Sequence, residues 1–475
     1  MRKLNEIFDT DLNIEIKDIK TNTKEINEGD LFVCIKGFNV DRHDYVDEAK
    51  RKGAKALVVN HKVDSDLPQI IVSDTNKELA NIVTKFYDYP STKMKMIGIT
   101  GTDGKTSTAT IIYQLLNQVT KCGYIGTNGV KCPTYEDDSN NTTPTTEHLN
   151  RFLNNFYLNN CTYTCMESGS EGLAQGRCEN IEYDYSIFTN LTHEHLNYHK
   201  TMDNYMKAKS ILFKQTKKEG TSILNIDDPY SKEIAKYCNG KVLYYGKDEN
   251  ANFRFTNVII TPEKTYFDLI YNNKTYNIKS PLLGMFNVYN LTAALAILIT
   301  DGYDINKFNL DNLYVDGRMT DINLGQNFKV IVDYAHTPNG YLNLFELTKT
   351  LKANRTIIVA GSAGERDKEK RPVMGKILVD NADLVVFTYE DPRSEDPEDI
   401  IDDLTKEVMN KQDKFVRIVD RKEAIKYAIN IAEEGDMVLI LGKGNETYET
   451  LKNGKIHFND IEEAKNALKE ITVKL

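Results

Sequence analysis

The 475-residue sequence contains no tryptophan, only 11 prolines, and no apolar stretch of the kind that crosses a bilayer. A membrane span is therefore not expected. The opening MRKLNEIFDTDLNIEIKD lacks the continuous apolar segment of a signal peptide, so the chain is expected to be cytoplasmic. The seven cysteines are odd in number and irregularly spaced, with Cys161 and Cys165 the only close pair. They read as reduced thiols rather than as a disulfide or zinc framework. Basic side chains are not in excess: 60 stand against 70 acidic ones, a formal charge of −10. No nucleic-acid partner is expected on that balance. No internal repeat or low-complexity tract is visible. What is present, 18 Phe, 27 Tyr and a 40% hydrophobic content, is ample for a core. At about 150 residues per domain, the length suggests three domains.

The chain alternates strand-like and helical segments. In the first section, strands are expected at Asp30–Ile35, Ala56–Val59 and Gln69–Val72, with a helix at Val46–Lys52. A break at Tyr89-Pro-Ser-Thr92 ends it, giving a first domain of 1–92. A second domain covers 93–315, with a β-rich insert near 250–280, and a third covers 316–475. The third carries the apolar, β-branched runs Lys329–Asp333, Arg355–Ala360, Asp383–Phe387, Phe415–Val419 and Met437–Leu441, separated by helical patterns. Such runs indicate a parallel sheet covered on both faces, whose ligands bind at the carboxyl ends of strands.

The strongest local signal is Gly98-Ile-Thr-Gly101-Thr-Asp-Gly104-Lys105-Thr106-Ser107, with a strand before it and an amphipathic helix after it. Glycines let backbone N–H groups close around phosphate oxygens at a helix N-terminus. Lys105 would then reach the β/γ-phosphates and the Thr106 hydroxyl would face Mg²⁺. Ile99 departs from the strict Walker A spacing, and a glycine-rich turn with an incidental lysine is the plainer alternative. The flanking elements favour nucleotide binding.

Phosphoryl transfer with Mg²⁺ needs hard oxygen ligands nearby. Glu167 follows the strand-like Thr162–Met166 and would lie at a strand's carboxyl end. Three of the eight histidines fall in His193-Glu-His195-Leu-Asn-Tyr-His199. They lack HExxH spacing and acidic partners at fixed offsets, so a mixed polar site is favoured over zinc. Lys209, in a helical context, reads locally as a helix-surface lysine.

Taken in order, these segments resemble the Mur ligase family over nearly the whole chain. The family's TGTxGKT/S is matched by Thr100–Ser107, its NTTP by Asn141–Pro144 and its FTNL…HLxYH by Phe188–Leu191 and His195–His199. Its GxFNxxN is matched by Gly284–Asn290, and its domain-joining segments by Gly317-Arg318 and Asp333–Pro338. Gly29–Phe32, Val40–Asp44, Gly364–Pro372 and Gly442–Glu446 are most similar to the members that add the third residue of the peptidoglycan stem peptide. The resemblance implies an α/β protein of three domains: a small α/β N-terminal domain that binds the UDP-sugar, a central P-loop mononucleotide-binding parallel sheet, and a Rossmann-like C-terminal domain that binds the amino acid. It implies an ATP-dependent amide ligase of peptidoglycan precursor synthesis that phosphorylates the D-glutamate carboxylate of UDP-N-acetylmuramoyl-L-alanyl-D-glutamate, after which a free amino acid attacks the acyl phosphate. ATP and two Mg²⁺ ions are the implied cofactors. No obligate protein partner is evident.

By the same resemblance Lys105, Glu167, His195 and Lys209 are catalytic. Thr106 and Glu167 hold one metal, while His195 and Lys209, the latter as N6-carboxylysine, hold the second. ATP would contact Gly101, Thr102, Asp103, Gly104, Lys105, Thr106, Ser107, Asn287, Asn290, Arg318 and Asp333. The UDP-sugar peptide would contact Thr23, Thr142, Thr143, Gly169, Gln175 and Arg177. The amino acid would contact Arg366, Glu390, Asp391, Pro392, Arg393, Gly442 and Glu446.

Several positions depart from the family pattern. Gly169 and Glu171 stand where it has serine and histidine, Asn445 where it has histidine, and Asn22-Thr23-Lys24 where it has DSR. The DNPR of diaminopimelate-adding members reads Glu390-Asp391-Pro392-Arg393. Arg393, Arg366 and Glu446 suit the zwitterionic far end of meso-diaminopimelate, which is the favoured substrate. The added acid at Asp391 would favour a cation-ended substrate such as L-lysine or L-ornithine. A folylpolyglutamate-synthase-like ligase is disfavoured by residues 1–92 and Asn141–Pro144. A non-catalytic binder is disfavoured by the intact Lys105, Glu167, His195 and Lys209.

Overall fold

The computed structural model of the chain describes residues 1–37, 40–139 and 141–472. It is an α/β protein built on three main sheets. The first is four-stranded and all parallel, in the order Ile19–Lys20, Leu31–Val33, Ala56–Val59, Gln69–Ile71. Alternate side chains along its strands feed two separate cores. Leu31, Val33, Ala56 and Val58 pack with Ile82, Val83 and Phe86 of the helix Thr75–Phe86. Phe32, Cys34, Leu57 and Val59 pack with Val46 and Ala49 of the helix Val46–Arg51. The break after this unit turns on Tyr89, whose left-handed backbone (φ +53°) precedes Pro90.

The central sheet has eleven strands. Seven consecutive strands are parallel: Cys122–Gly126, Tyr163–Glu167, Lys95–Thr100, Tyr183–Phe188, Thr216–Asn225, Lys241–Gly246 and Phe253–Ile260. The β-rich stretch expected as an insert near 250–280 is the edge of this same sheet, since Phe253–Ile260 pairs with Lys241–Gly246 and is followed by antiparallel Thr265–Tyr271 and Lys274–Ser280. From Lys95–Thr100 the chain moves to one side of the sheet, fills in with Tyr163–Glu167, then crosses over to Tyr183–Phe188. The carboxyl ends of these strands therefore meet where the winding reverses, the place where open α/β sheets leave a crevice.

The C-terminal sheet runs Thr320–Asp321, Lys329–Asp333, Met437–Leu441, Thr356–Ala360, Leu384–Phe387, Phe415–Arg417, parallel except for the first strand. The helices Pro338–Thr348, Lys370–Asn381 and Pro397–Thr405 cover one face. Arg421–Asn430 and Asp460–Thr472 cover the other. Both faces being buried explains why these strands read as unbroken apolar runs. No helix among the described residues is long and apolar enough to cross a membrane.

Candidate active site

Between the carboxyl ends of the central and C-terminal sheets lies a cavity of about 1070 Å³. Its floor is the phosphate loop. Gly101 (φ +154°) cannot accept a side chain, because a Cβ there would stand 1.8 Å from the Thr189 hydroxyl oxygen. Gly104 (φ +85°) would meet Asn290 Oδ1 at 2.5 Å. These close approaches leave the loop's backbone packed against the sheet, and the helix Lys105–Leu116 begins directly after it. Lys105 Nζ donates to the carbonyls of Gly101 (3.0 Å) and Thr102 (2.7 Å), while burial lowers its pKa against the opposing pull of Glu167.

Glu167 is fully buried. Its Oε2 accepts from the Thr106 hydroxyl at 2.9 Å, and its Oε1 from the Tyr124 hydroxyl (2.8 Å) and the Thr127 N–H (2.9 Å). A carboxylate held by hydroxyl and amide dipoles, with no Lys or Arg ion pair among the described residues, is the hard-oxygen donor set that fits Mg²⁺ beside a phosphate loop. Tyr124 and Thr127 carry no sequence signal of their own; only the neighbouring strand of the sheet brings them to Glu167.

Lys209 lies only 1% exposed, so the reading as a helix-surface lysine is overturned. Its Nζ donates to the Gly101 carbonyl at 2.6 Å and sits 4.4 Å from the Tyr205 ring centroid. Burial, with Lys105 adding to it, pushes its pKa well below the ordinary lysine value. An ammonium does not fit a metal-binding role, whereas a carbamate formed on the neutral amine does. His195, at a left-handed backbone position (φ +57°), has Nδ1 3.2 Å from Glu171 Oε1. Glu171 also stands 3.8 Å from Arg366 of the C-terminal unit, and contact with His195 lowers its pKa despite burial. The departure at residue 171 thus links the two halves of the cleft.

Among the residues expected to meet the nucleotide, Asn290 Nδ2 donates to Asn287 Oδ1 at 3.3 Å and the Arg318 guanidinium stacks 4.4 Å from the Tyr334 ring. Asp333 accepts the N–H groups of Met319 and Ala335, each at 2.8 Å, and burial raises its pKa. Of the residues expected to meet the amino acid, Arg366, Glu390, Asp391, Arg393, Gly442 and Glu446 all line the cavity. Lys443, passed over in the sequence, joins two of them: its Nζ is 2.8 Å from Asp391 and 2.9 Å from Glu446. Glu390 is buried with Oε1 lacking any hydrogen bond among the described residues, and desolvation pushes its pKa up to about 7.

Most other expected site residues also border the cavity, among them Thr102, Asp103, Ser107, Thr142, Thr143, Gly169 and Arg177. Five do not: Thr23, Gly101, Gln175, Asn287 and Pro392. Thr23 is buried in the N-terminal unit, where its carbonyl accepts from Lys52 Nζ at 3.0 Å. Gln175 accepts from Arg177 (2.7 Å) and lies just behind the lining.

Two cation-bearing walls facing a phosphate loop and a buried carboxylate define a nucleotide-dependent enzyme of the P-loop class. The chain belongs to the Mur ligase family: the Mur ligase family catalytic domain matches residues 15–96, the Mur ligase middle domain 99–298, and the glutamate ligase domain 317–444. It is 39% identical over 467 residues to the UDP-N-acetylmuramoyl-L-alanyl-D-glutamate–2,6-diaminopimelate ligase of Bacillus licheniformis, covering 96% of this chain and 95% of that one. It is 38% identical over 475 residues to a Clostridium acetobutylicum ligase of the same name, with 98% and 97% covered. A solved structure of a ligase of that name matches with a TM-score of 0.66 at 26% identity over 99% of both chains. The MurF ligase of Thermotoga maritima, solved with ADP, shares the fold at a TM-score of 0.71, 22% identical, over 97% of this chain and 99% of its own.

Proposed function

We propose that this ligase adds meso-diaminopimelate to the D-glutamate carboxylate of UDP-N-acetylmuramoyl-L-alanyl-D-glutamate, at the expense of ATP, in the cytoplasm. The observation that carries the choice of amino acid is the Lys443 contact. Asp391, the acid that would have favoured a cation-ended substrate, is already held by Lys443, which it shares with Glu446, and accepts the Thr450 N–H at 3.0 Å. Arg366, in loose contact with Glu171 at 3.8 Å, and Arg393 both line the cavity, and two guanidiniums suit a substrate whose far end carries a carboxylate. The names of the Bacillus and Clostridium relatives point the same way.

A carboxylate is a poor electrophile until one oxygen becomes a phosphate leaving group. The substrate carboxylate attacks the γ-phosphorus of ATP and ADP leaves. The amino group of the incoming amino acid then attacks the acyl carbon, and inorganic phosphate departs as the amide forms. Lys105 screens the repulsion between the two anions in the first step. Thr106 and Glu167 would hold one Mg²⁺, and His195 with carbamylated Lys209 a second; the ions supply charge neutralisation on the phosphates. Arg318 and Asn290 orient the nucleotide, and Thr142, Thr143 and Arg177 the UDP-sugar peptide. Enclosure by the C-terminal unit keeps water from the acyl phosphate.

The test is phosphate release from ATP with the UDP-muramoyl dipeptide, offering meso-diaminopimelate, L-lysine and L-ornithine separately. Stimulation by diaminopimelate alone is expected. Equal or greater stimulation by lysine would overturn the amino-acid assignment, and none by any of the three would overturn the ligase reading.

A further inference from the structure

The three histidines after the strand Tyr183–Phe188 do not share one task. His195 faces Glu171, and His199 is buried against the Ser170 hydroxyl (3.0 Å) and the Tyr205 ring. His193 points elsewhere, across to the C-terminal unit. Its Nε2 stands 3.4 Å from Asp367 Oδ2, and with Glu369 the three side chains bring one ligand atom each within 4.8 Å of one another.

Asp367 is the informative member. It is only 5% exposed. Its Oδ1 accepts the Glu369 N–H at 3.0 Å, but its Oδ2, aimed at the imidazole, is buried and makes no hydrogen bond among the described residues. A desolvated carboxylate oxygen without a donor is costly, so something is expected to satisfy it. The cations around it are committed elsewhere. Lys368 lies 3.0 Å from Glu395, Lys370 lies 3.0 Å from Glu194, and Arg366 faces Glu171. Among the described residues, neither Asp367 nor Glu369 has a lysine or arginine ion pair.

We propose that His193, Asp367 and Glu369 form a divalent-metal site of the zinc type that fastens the C-terminal unit to the central one. Ligand atoms about 2.1 Å from a tetrahedral ion stand about 3.4 Å apart, the separation of His193 Nε2 from Asp367 Oδ2. Glu369 is exposed and turns in to close the remaining gap, leaving a fourth position for water. The imidazole sets the preference: a nitrogen donor suits Zn²⁺ and its neighbours in the Irving–Williams order, while Mg²⁺ favours oxygen. This site is separate from both proposed Mg²⁺ positions: Glu167–Thr106 offers only oxygens, and His195, whose single imidazole there would be joined by carbamate oxygens, faces Glu171 rather than Asp367. It has no counterpart in local sequence spacing, since its acidic members come from the turn into helix Lys370–Asn381 of the C-terminal unit.

The test uses the full chain, stripped with a chelator and titrated with Zn²⁺, and in parallel with Co²⁺, in millimolar Mg²⁺ to occupy oxygen-only sites. One zinc per chain is expected, with visible Co²⁺ absorption of tetrahedral intensity. His193→Ala and Glu369→Ala, both at exposed side chains, should each weaken Zn²⁺ binding more than about 100-fold and remove the Co²⁺ bands. Glu167→Gln should leave both intact. Zinc affinity unchanged in His193→Ala and Glu369→Ala, or no zinc bound by the unaltered chain, would overturn the proposal and leave His193–Asp367 as a plain ion pair.

Discussion

Lys443 and Asp391 form a buried ion pair beside the cavity, at the proposed amino-acid pocket, 2.8 Å apart, with the lysine side chain 1% exposed. Burial works against the lysine's charge, yet Glu446 and Asp391 together hold its pKa above the ordinary value. The pair makes Asp391 a structural partner of Lys443 rather than a free anion. Asp391→Asn should therefore leave the preference for diaminopimelate over lysine nearly unchanged. Lys443→Met, which strands two carboxylates, should destabilise the fold by about 3 kcal/mol and raise KM for the amino acid. Denaturant melts and KM values for both amino acids check this; a swing toward lysine in Asp391→Asn, or away from it, would show that Asp391 reads the substrate directly.

Glu390 gives the site a pH signature. Its carboxyl is pushed up to about 7 by burial, with Arg421 opposing in part. Between the ordinary glutamate value and about 7 the folded state binds more protons than the unfolded one, so this group's contribution to stability is full at low pH and is lost as pH rises through that window. Glu390→Gln should remove the loss, so that the variant gains on the parent by up to about 3 kcal/mol between pH 5 and 8. His199 (about 4) and His336 (about 3) are held low by burial and act with the opposite sign, but they are common to both proteins and cancel in the difference. Parallel stability–pH curves for the two proteins would contradict the assignment.

Strands and the phosphate loop were legible in the sequence because they are local: continuous apolar runs mark a sheet covered on both faces, and Gly101, Gly104 and Lys105 lie within five residues. The local surroundings of Lys209 and Glu171 were not legible: family resemblance alone marked Lys209 for the site, and nothing marked a partner for Glu171. Lys209 looks like any helical lysine until the Gly101 carbonyl and the Tyr205 ring are folded around it. Glu171 looks like a lost histidine until Arg366 arrives from the other sheet. The same holds for Lys443, whose partner Asp391 follows a different strand. Contacts made between sheets leave no periodicity to read, so specificity was harder to foresee than fold.

In the proposed mechanism Lys209 couples stability to activity. A buried amine whose pKa lies well below the ordinary value must shed its proton or remain charged in an apolar setting, and either way the folded state is disfavoured at neutral pH relative to an uncharged side chain. Lys209→Met should raise the melting temperature while abolishing ATP turnover, a trade typical of strained functional positions. Lys209→Ala should lose turnover as well and recover part of it with acetate or formate, which supply the carboxylate that a carbamate would. Full turnover in either variant would remove Lys209 from the catalytic set.

The closed arrangement of the cleft rests in part on Glu194 and Lys370. Their side chains, 9% and 7% exposed, meet 3.0 Å apart between the central and C-terminal units, and Lys370 also donates to the His336 carbonyl at 3.1 Å. Glu194→Gln leaves a buried cation without its counter-ion, and breaking such a pair from one side costs about 3–5 kcal/mol. Here the C-terminal unit has a cheaper escape than unfolding, because it can swing away and let Lys370 reach water. The expected outcome is therefore a larger radius of gyration in solution scattering and a fall in kcat, with KM for ATP changed less, since the phosphate loop lies wholly in the central unit. The double variant Glu194→Leu/Lys370→Met restores a matched, uncharged contact and should return the radius toward that of the parent. If Glu194→Gln scatters like the parent and keeps its kcat, the cleft is held by its other contacts, among them Asp103 with Thr337 and Asn339.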